Sequence, residues 1–232
     1  MRPTQRIILF TGIPIIVTGL AIVSEYSGFD LWLESLFFDT TTGTFPYRSL
    51  FFTSTVLHTG GRSVVVLFAL LNVMAIILSF FNTRLATYRK HLVFILLAAA
   101  IGPSLISYLK GATHIYIPWE LIHFGGDKPY IRLFDPVPEG AEIGLGFPGG
   151  HSSAGFAYLS AFFALTAMGS RYRFYGALIP ILLGMLFSAT QLVRGAHFIS
   201  HDMISFAICW TAPFLLSLVF YPAYYRGYKP AH

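Results

Sequence analysis

Charge is what this sequence has least of. Asp, Glu, Lys and Arg make up 11% of its 232 residues, against about 25% in soluble domains. Hydrophobic residues reach 55% and mean hydropathy is +0.67. A chain this poor in charge cannot clothe itself for water, which excludes an ordinary soluble domain. The single cysteine, Cys209, excludes an intramolecular disulfide and any cysteine-based metal site. Internal repeats and low-complexity tracts are absent, and the 13 prolines are spread rather than clustered. One integral membrane domain over residues 1–232 is therefore expected.

What is present is a series of apolar runs. A spanning helix needs about 20 mostly apolar residues, and six stretches qualify: 7–24, 63–82, 92–109, 152–169, 174–193 and 203–221. The expected fold is all-α, a polytopic membrane helix bundle with six transmembrane helices and interfacial segments on its outer face. The first run, preceded by Arg2 and Arg6, also has the outline of a signal peptide, but no small-x-small cleavage pattern follows it.

An even number of spans puts both termini on one side. With the termini cytoplasmic, Arg2, Arg6, Arg84, Arg89, Lys90, Arg171, Arg173, Arg226 and Lys229 lie inside, and Arg48, Arg62, Lys110, Lys128, Arg132 and Arg194 outside. All the acids, Glu25, Asp30, Glu34, Asp39, Glu120, Asp127, Asp135, Glu139, Glu142 and Asp202, then fall outside. The formal charge of +5 follows the turns between spans instead of forming a patch, so no nucleic-acid partner is expected.

The inner connections are short and basic. The outer ones are long, 25–62 and 110–151, with a brief third at 194–202, and long loops tend to carry function. Residues 29–38 interleave aromatic and acidic side chains, which suits either a helix lying in the interface or a loop packed on the bundle. Residues 124–147 are dense in Gly and Pro, which forbids a long helix and predicts an irregular cap.

Three polar clusters stand at the outer ends of predicted spans, where ionisable groups are functional candidates. The first begins with Lys110 and runs on through His114, Pro118, Trp119 and Glu120; a lone lysine there can also be a snorkelling boundary residue. The second is Phe147-Pro148-Gly149-Gly150-His151-Ser152-Ser153, directly before a span. Free amides and the positive end of a helix suit phosphate oxygens there, and His151 suits proton donation, although the segment also reads as a plain turn. The third is Arg194-Gly195-Ala196-His197-Phe198-Ile199-Ser200-His201-Asp202. A neutral imidazole held by a carboxylate is a competent nucleophile; alternatively His197 and His201, with Asp202 or His151, form a metal site. Lys110, Arg194 and the glycine turn together supply the charge and donors that phosphoryl transfer needs.

These clusters, in this order, resemble the type-2 phosphatidic acid phosphatase superfamily, whose pattern is Lys-x6-Arg-Pro, then Pro-Ser-Gly-His, then Arg-x5-His-x3-Asp. The resemblance covers residues 110–202 and the six-span plan. It implies a metal-independent lipid phosphatase without a cofactor, in which His197 attacks phosphorus, His151 protonates the leaving group, and Lys110, Arg194, Gly149, Gly150 and Ser152 hold the phosphate.

The sequence departs from the pattern at four places. Ile117 stands where the first motif has arginine, so Arg132 or Lys128 is expected to replace it. Gly149 stands in place of serine. Gln191 occupies the third-motif arginine position, with Arg194 three residues on. His201 fills the aspartate position and Asp202 follows it, which leaves open which of them orients His197, and whether His201 is itself the nucleophile.

The sequence looks like a divergent bacterial branch, and GAHFIS is also similar to lipid A phosphatases. That implies a bacterial inner membrane with the site at the periplasmic face. The candidate substrates are lipid A, an isoprenoid diphosphate or a glycerophospholipid phosphate. A phosphotransferase with the same histidine chemistry, and an inactive six-span transporter or scaffold, are the alternatives. Oligomeric state is not legible.

Overall fold

The computed structural model describes residues 2–227, with the backbone alone at position 58; Lys229, counted above among the inner bases, lies outside the described residues. In chain order the helices are α1 (Pro3–Tyr26), α2 (Phe29–Ser35), α3 (Gly61–Leu78), α4 (Thr83–Ala86), α5 (Arg89–Lys110), α6 (Gly150–Phe156), α7 (Ser160–Ala167), α8 (Arg173–Val193), α9 (Ile199–Phe220) and α10 (Pro222–Tyr225). No strand occurs among the described residues, so the fold is all-α.

Five helical segments are long and apolar enough to cross a bilayer: α1, α3 with the π-helical run Phe52–Gly60 that leads into it, α5, α8 and α9. The chain is a multi-pass membrane protein. The stretch 152–169 is helical but broken: α6 and α7 are separated by a 3-10 turn at Ala157–Leu159. Its hydroxyls compete with a regular ladder, since Ser152, Ser153 and Ser160 each donate to the carbonyl three residues back. The second span begins earlier than hydropathy predicts, at Phe52, and ends at Leu78; Asn82 then caps α4 by accepting from the Arg84 and Leu85 amides.

The inner core lies where α1, α5, α7 and α9 meet. The Phe10 ring packs edge-on against Phe162, Phe163, Trp210 and Phe214, and Trp210 Nε1 donates to the Phe10 carbonyl at 2.9 Å. The first apolar run is thus an integral part of the bundle.

The two ends of the bundle differ in chemistry. At one end Arg6 donates to the Tyr224 carbonyl, Arg89 lies over Phe80, and His91 bonds the Tyr221 hydroxyl. At the other, Lys110 ends α5, Gly150 starts α6, Val193 ends α8 and Ile199 starts α9. Above that end lies a second core of Phe45, Tyr116, Leu121, Phe124, Ile131 and Phe198, built from the two long connections, after α2 and after α5, and the link into α9. Residues 124–147 contain no long helix, in line with an irregular cap.

α2 has an inverted amphipathy. Asp30 and Glu34, four apart and so on one face, are fully buried, whereas Phe29, Trp32 and Leu36 are exposed. The acids face protein and the apolar side chains face outward, as suits a short helix at the rim of a bilayer.

Candidate active site

The site is assembled from the ends of four helices and the loop before α6. Gly144 N donates to the Thr113 carbonyl at 3.1 Å and Gly146 N to the Ile115 carbonyl at 2.9 Å. This pairing lays residues 144–147 along the chain that leaves α5. Lys110 Nζ then donates to the Leu145 carbonyl at 2.8 Å. Beyond the loop, the N-terminus of α6 is tied to α9: Gly149 N donates to the His201 carbonyl at 3.1 Å, and Ser205 Oγ to the Gly149 carbonyl at 2.7 Å.

Asp202 is the knot of the arrangement. It accepts Ser152 Oγ from α6 at 2.6 Å and Ser188 Oγ from α8 at 2.5 Å. Three helices are therefore joined through one buried carboxylate. Gly155 and Gly184 permit this, because their lack of side chains lets α6 and α8 meet backbone to backbone.

His197 is buried in the link between α8 and α9, its ring 6.0 Å from that of His201. Burial first, then the Lys110 charge and the neighbouring His201, hold His197 well below the usual histidine range, so it is neutral near pH 7. His151 is in electrostatic contact with His197, and its ring lies 4.6 Å from that of Phe187. The Gly146 backbone lies beside both His197 and His201. Neither His201 nor Asp202 hydrogen-bonds His197: the carboxylate is engaged with serines, and Nδ1 of each histidine has no partner among the described residues.

Lys110, Gly149, Gly150, His151, Ser152, His197, His201 and Asp202 are thus brought together. Arg194 stands at the edge, donating to Gln191 Oε1 at 3.3 Å and to the Arg48 carbonyl at 3.1 Å. Two expected residues are placed elsewhere. Lys128 pairs with Glu142 at 2.9 Å and Arg132 with Asp135 at 2.9 Å, each committed to a carboxylate of the loop between α5 and α6. The arrangement of His197 and His201 with Asp202 or His151 as metal ligands is not formed: no three His, Cys, Asp or Glu side chains converge on a metal-sized site among the described residues.

The sequence reading overlooked Ser188, Gly146, Arg48, Asp30 and Glu34. Arg48 lies over the Trp119 ring at 4.1 Å, two residues beyond the arginine-less Ile117, and has no acidic partner among the described residues. The four-residue spacing of Asp30 and Glu34 was the available signal for a common face.

The sequence profile of the PAP2 superfamily matches residues 90–225, more than half of the chain and all three polar clusters. The chain belongs to the PAP2 superfamily. Members of the superfamily are generally phosphatases, which supports an enzyme with phosphatase activity on lipid-like phosphates. No curated protein and no solved structure gives a significant match.

Glu34 gives this site a measurable pH signature. Burial first, then the negative charges of Asp30 and Asp202, push its carboxyl from 4.5 up to about 10, so it is protonated at neutral pH. A folded value above the unfolded one means stability that is full below pH 4.5 and lost as pH rises toward about 10. Glu34→Gln makes the neutral form permanent. Its thermal midpoint in detergent should fall less steeply than the parent's between pH 5 and 9, by up to about 1.4 kcal/mol per pH unit. Parallel curves would mean that Glu34 is ionised when folded.

Proposed function

We propose that this protein removes phosphate from a membrane lipid, as a monoester or diphosphate, through a phosphohistidine intermediate. The observation that carries the reading is the convergence of a buried, neutral His197 with Lys110 and the N-terminus of α6 at one end of a membrane bundle.

In the first step a nitrogen of His197 forms a bond to phosphorus as the bond from phosphorus to the lipid oxygen breaks, and His151 gives its proton to that departing oxygen. In the second, water attacks phosphorus, His151 takes the water's proton, and the bond between phosphorus and nitrogen breaks. Orthophosphate leaves, and both histidines return to their starting states. Lys110 and the Gly150 amide hold the anion; Gly149 and Ser152, expected to bind phosphate, instead keep the α6 terminus in register, because the Gly149 amide is spent on the His201 carbonyl and the Ser152 hydroxyl on Asp202. Arg194 and Arg48 stand as the guanidinium pair of the mouth, Arg48 replacing the arginine missing from the first motif. His201 and Asp202 act on the frame: Asp202 joins α6, α8 and α9, and His201 packs beside the nucleophile.

The step needs no metal in this reading. The distribution of basic and acidic residues supports cytoplasmic termini and an outward site in a bacterial inner membrane. Lipid A, an isoprenoid diphosphate and a glycerophospholipid phosphate are the substrate candidates.

The test is orthophosphate release from a panel of these lipids by detergent-purified protein, with and without EDTA. Release from one class, undiminished by EDTA, is expected. Transfer of phosphate to an added lipid acceptor without orthophosphate would make it a phosphotransferase. A folded protein inert on the whole panel would leave a scaffold or transporter. Loss with EDTA and recovery with zinc would overturn the metal-free route.

A further inference from the structure

The catalytic helix of the proposed reaction starts without a cap of its own. Phe198 is the N-cap residue of α9, with extended backbone and no side-chain oxygen to take up the free amides of the first turn. Those amides lie between His197 and His201, the two imidazoles whose placement the chemistry needs.

A carboxylate from far away in the chain fills that role. Asp30, on α2, accepts the Ser200 amide at 3.4 Å through Oδ1 and the Ser200 hydroxyl through Oδ2. It is held in turn by Ser24 Oγ, which donates to Oδ1 at 2.6 Å from the outer end of α1. Asp30 is fully buried, so these contacts are made away from water. Burial pushes its carboxyl up, while the bonds from Ser200 and Ser24 pull it down.

We propose that Asp30 is a positioning residue for the proposed phosphatase reaction: by capping the first turn of α9 in trans, it holds His197 and His201 in their working placement relative to Lys110 and the α6 terminus.

Three features support the assignment. Ser200 lies between the two histidines, so any movement of its amide moves both. A side-chain acceptor at an N-cap fixes the entry angle of a helix, and Asp and Asn serve about equally well there. The next residue facing inward on α2, Glu34, carries a proton and so adds no second buried charge beside Asp30. Displacement of a reacting group by about 1 Å can cost about 10²-fold in rate, so a loosened first turn should appear in kcat before it appears in KM.

The inference rests on the phosphatase reading, and two readouts separate it from that reading. The first is hydrogen–deuterium exchange of the peptide spanning residues 196–204, which needs no activity. Asp30→Ala should speed exchange there, Asp30→Asn should restore most of the protection, and Glu139→Ala, an exposed control in the outer cap, should leave it unchanged. The second is phosphate release on the substrate found above. Asp30→Ala should lower kcat by about 10²-fold with KM within about two-fold, Asp30→Asn should recover most of it, and Asp30→Ala with Ser200→Ala should be no worse than Asp30→Ala alone.

Unchanged exchange in Asp30→Ala overturns the proposal. So does faster exchange with an intact kcat, which would make the contact structural only. If Asp30→Ala does not fold, Ser200→Ala and Asp30→Asn decide by the same two readouts. If the parent releases no phosphate while the exchange pattern holds, the phosphatase reading fails and the proposed effect on its catalysis falls with it, although the trans cap stands.

Discussion

His197→Ala should abolish phosphate release, with kcat/KM down by more than about 10³-fold and the helical circular dichroism unchanged. The expectation follows from what surrounds the imidazole. It is buried, kept neutral by its burial and by Lys110, and lies within electrostatic reach of His151. No second nucleophile is held in the same position, because His201 has its main chain inside α9 and its ring between Phe147 and Phe198. The same burial sets a pH signature. A nucleophile with its value well below 6.5 stays active as pH falls through 6.5, so the acidic limb of kcat/KM should lie below that point. His151→Ala should separate the roles, with a large loss on an alkyl phosphate and a much smaller one on an aryl phosphate whose leaving group needs no proton. Equal losses on both, or a His197→Ala variant that retains activity while His201→Ala does not, would reassign the nucleophile.

The second large effect is expected from restoring a family residue. The superfamily pattern has serine where this chain has Gly149, yet Gly149→Ser should inactivate the protein. A Cβ at 149 would lie 2.0 Å from Asp202 Oδ1 and 3.0 Å from Ser152 Oγ. The carboxylate would have to swing away, losing Ser152 and Ser188 and leaving a buried charge stripped of its donors, a change that costs about 3–5 kcal/mol. The aspartate of this chain stands one position later than in the family pattern, and its carboxylate occupies the space that a side chain at 149 would need. The two departures therefore meet in space. A thermal-shift measurement in detergent should show Gly149→Ser and Gly149→Ala both strongly destabilised, and Asp202→Gly in the Gly149→Ser background recovering part of the loss in stability but not in activity. A Gly149→Ser variant as stable and active as the parent would mean that Asp202 adjusts freely, and would sink the account of its role as the knot of three helices.

Much of this molecule was legible in its residues alone. Spanning helices announce themselves because a bilayer demands some twenty apolar residues in a row, a local requirement. The order of Lys110, His151 and His197 was legible for a related reason: motif spacing along the chain records which helix end each group occupies. Even the irregular cap at 124–147 followed from its glycines and prolines.

Tertiary structure decided the rest. Sequence offered Arg132 and Lys128 as substitutes for the missing arginine, but Arg132 is spent on Asp135, three residues on, and Lys128 on Glu142, fourteen residues on, a pairing that the folding of the loop decides. It left open whether His201 or Asp202 orients His197, and Asp202 instead bonds serines on two other helices, one of them 50 residues away. Asp30 reaches Ser200 across 170 residues. Hydropathy could not foresee these contacts: inside a bilayer both lipid and protein core are apolar, so the pattern that tells inside from outside in water says little here, and the inward face of a short helix such as α2 is the one that carries its acids. Which polar groups meet was therefore settled by the packing of helix ends, where Asp30 and Asp202 found their donors on whatever neighbour the fold supplied, and Glu34, with no donor among the described residues, keeps its proton.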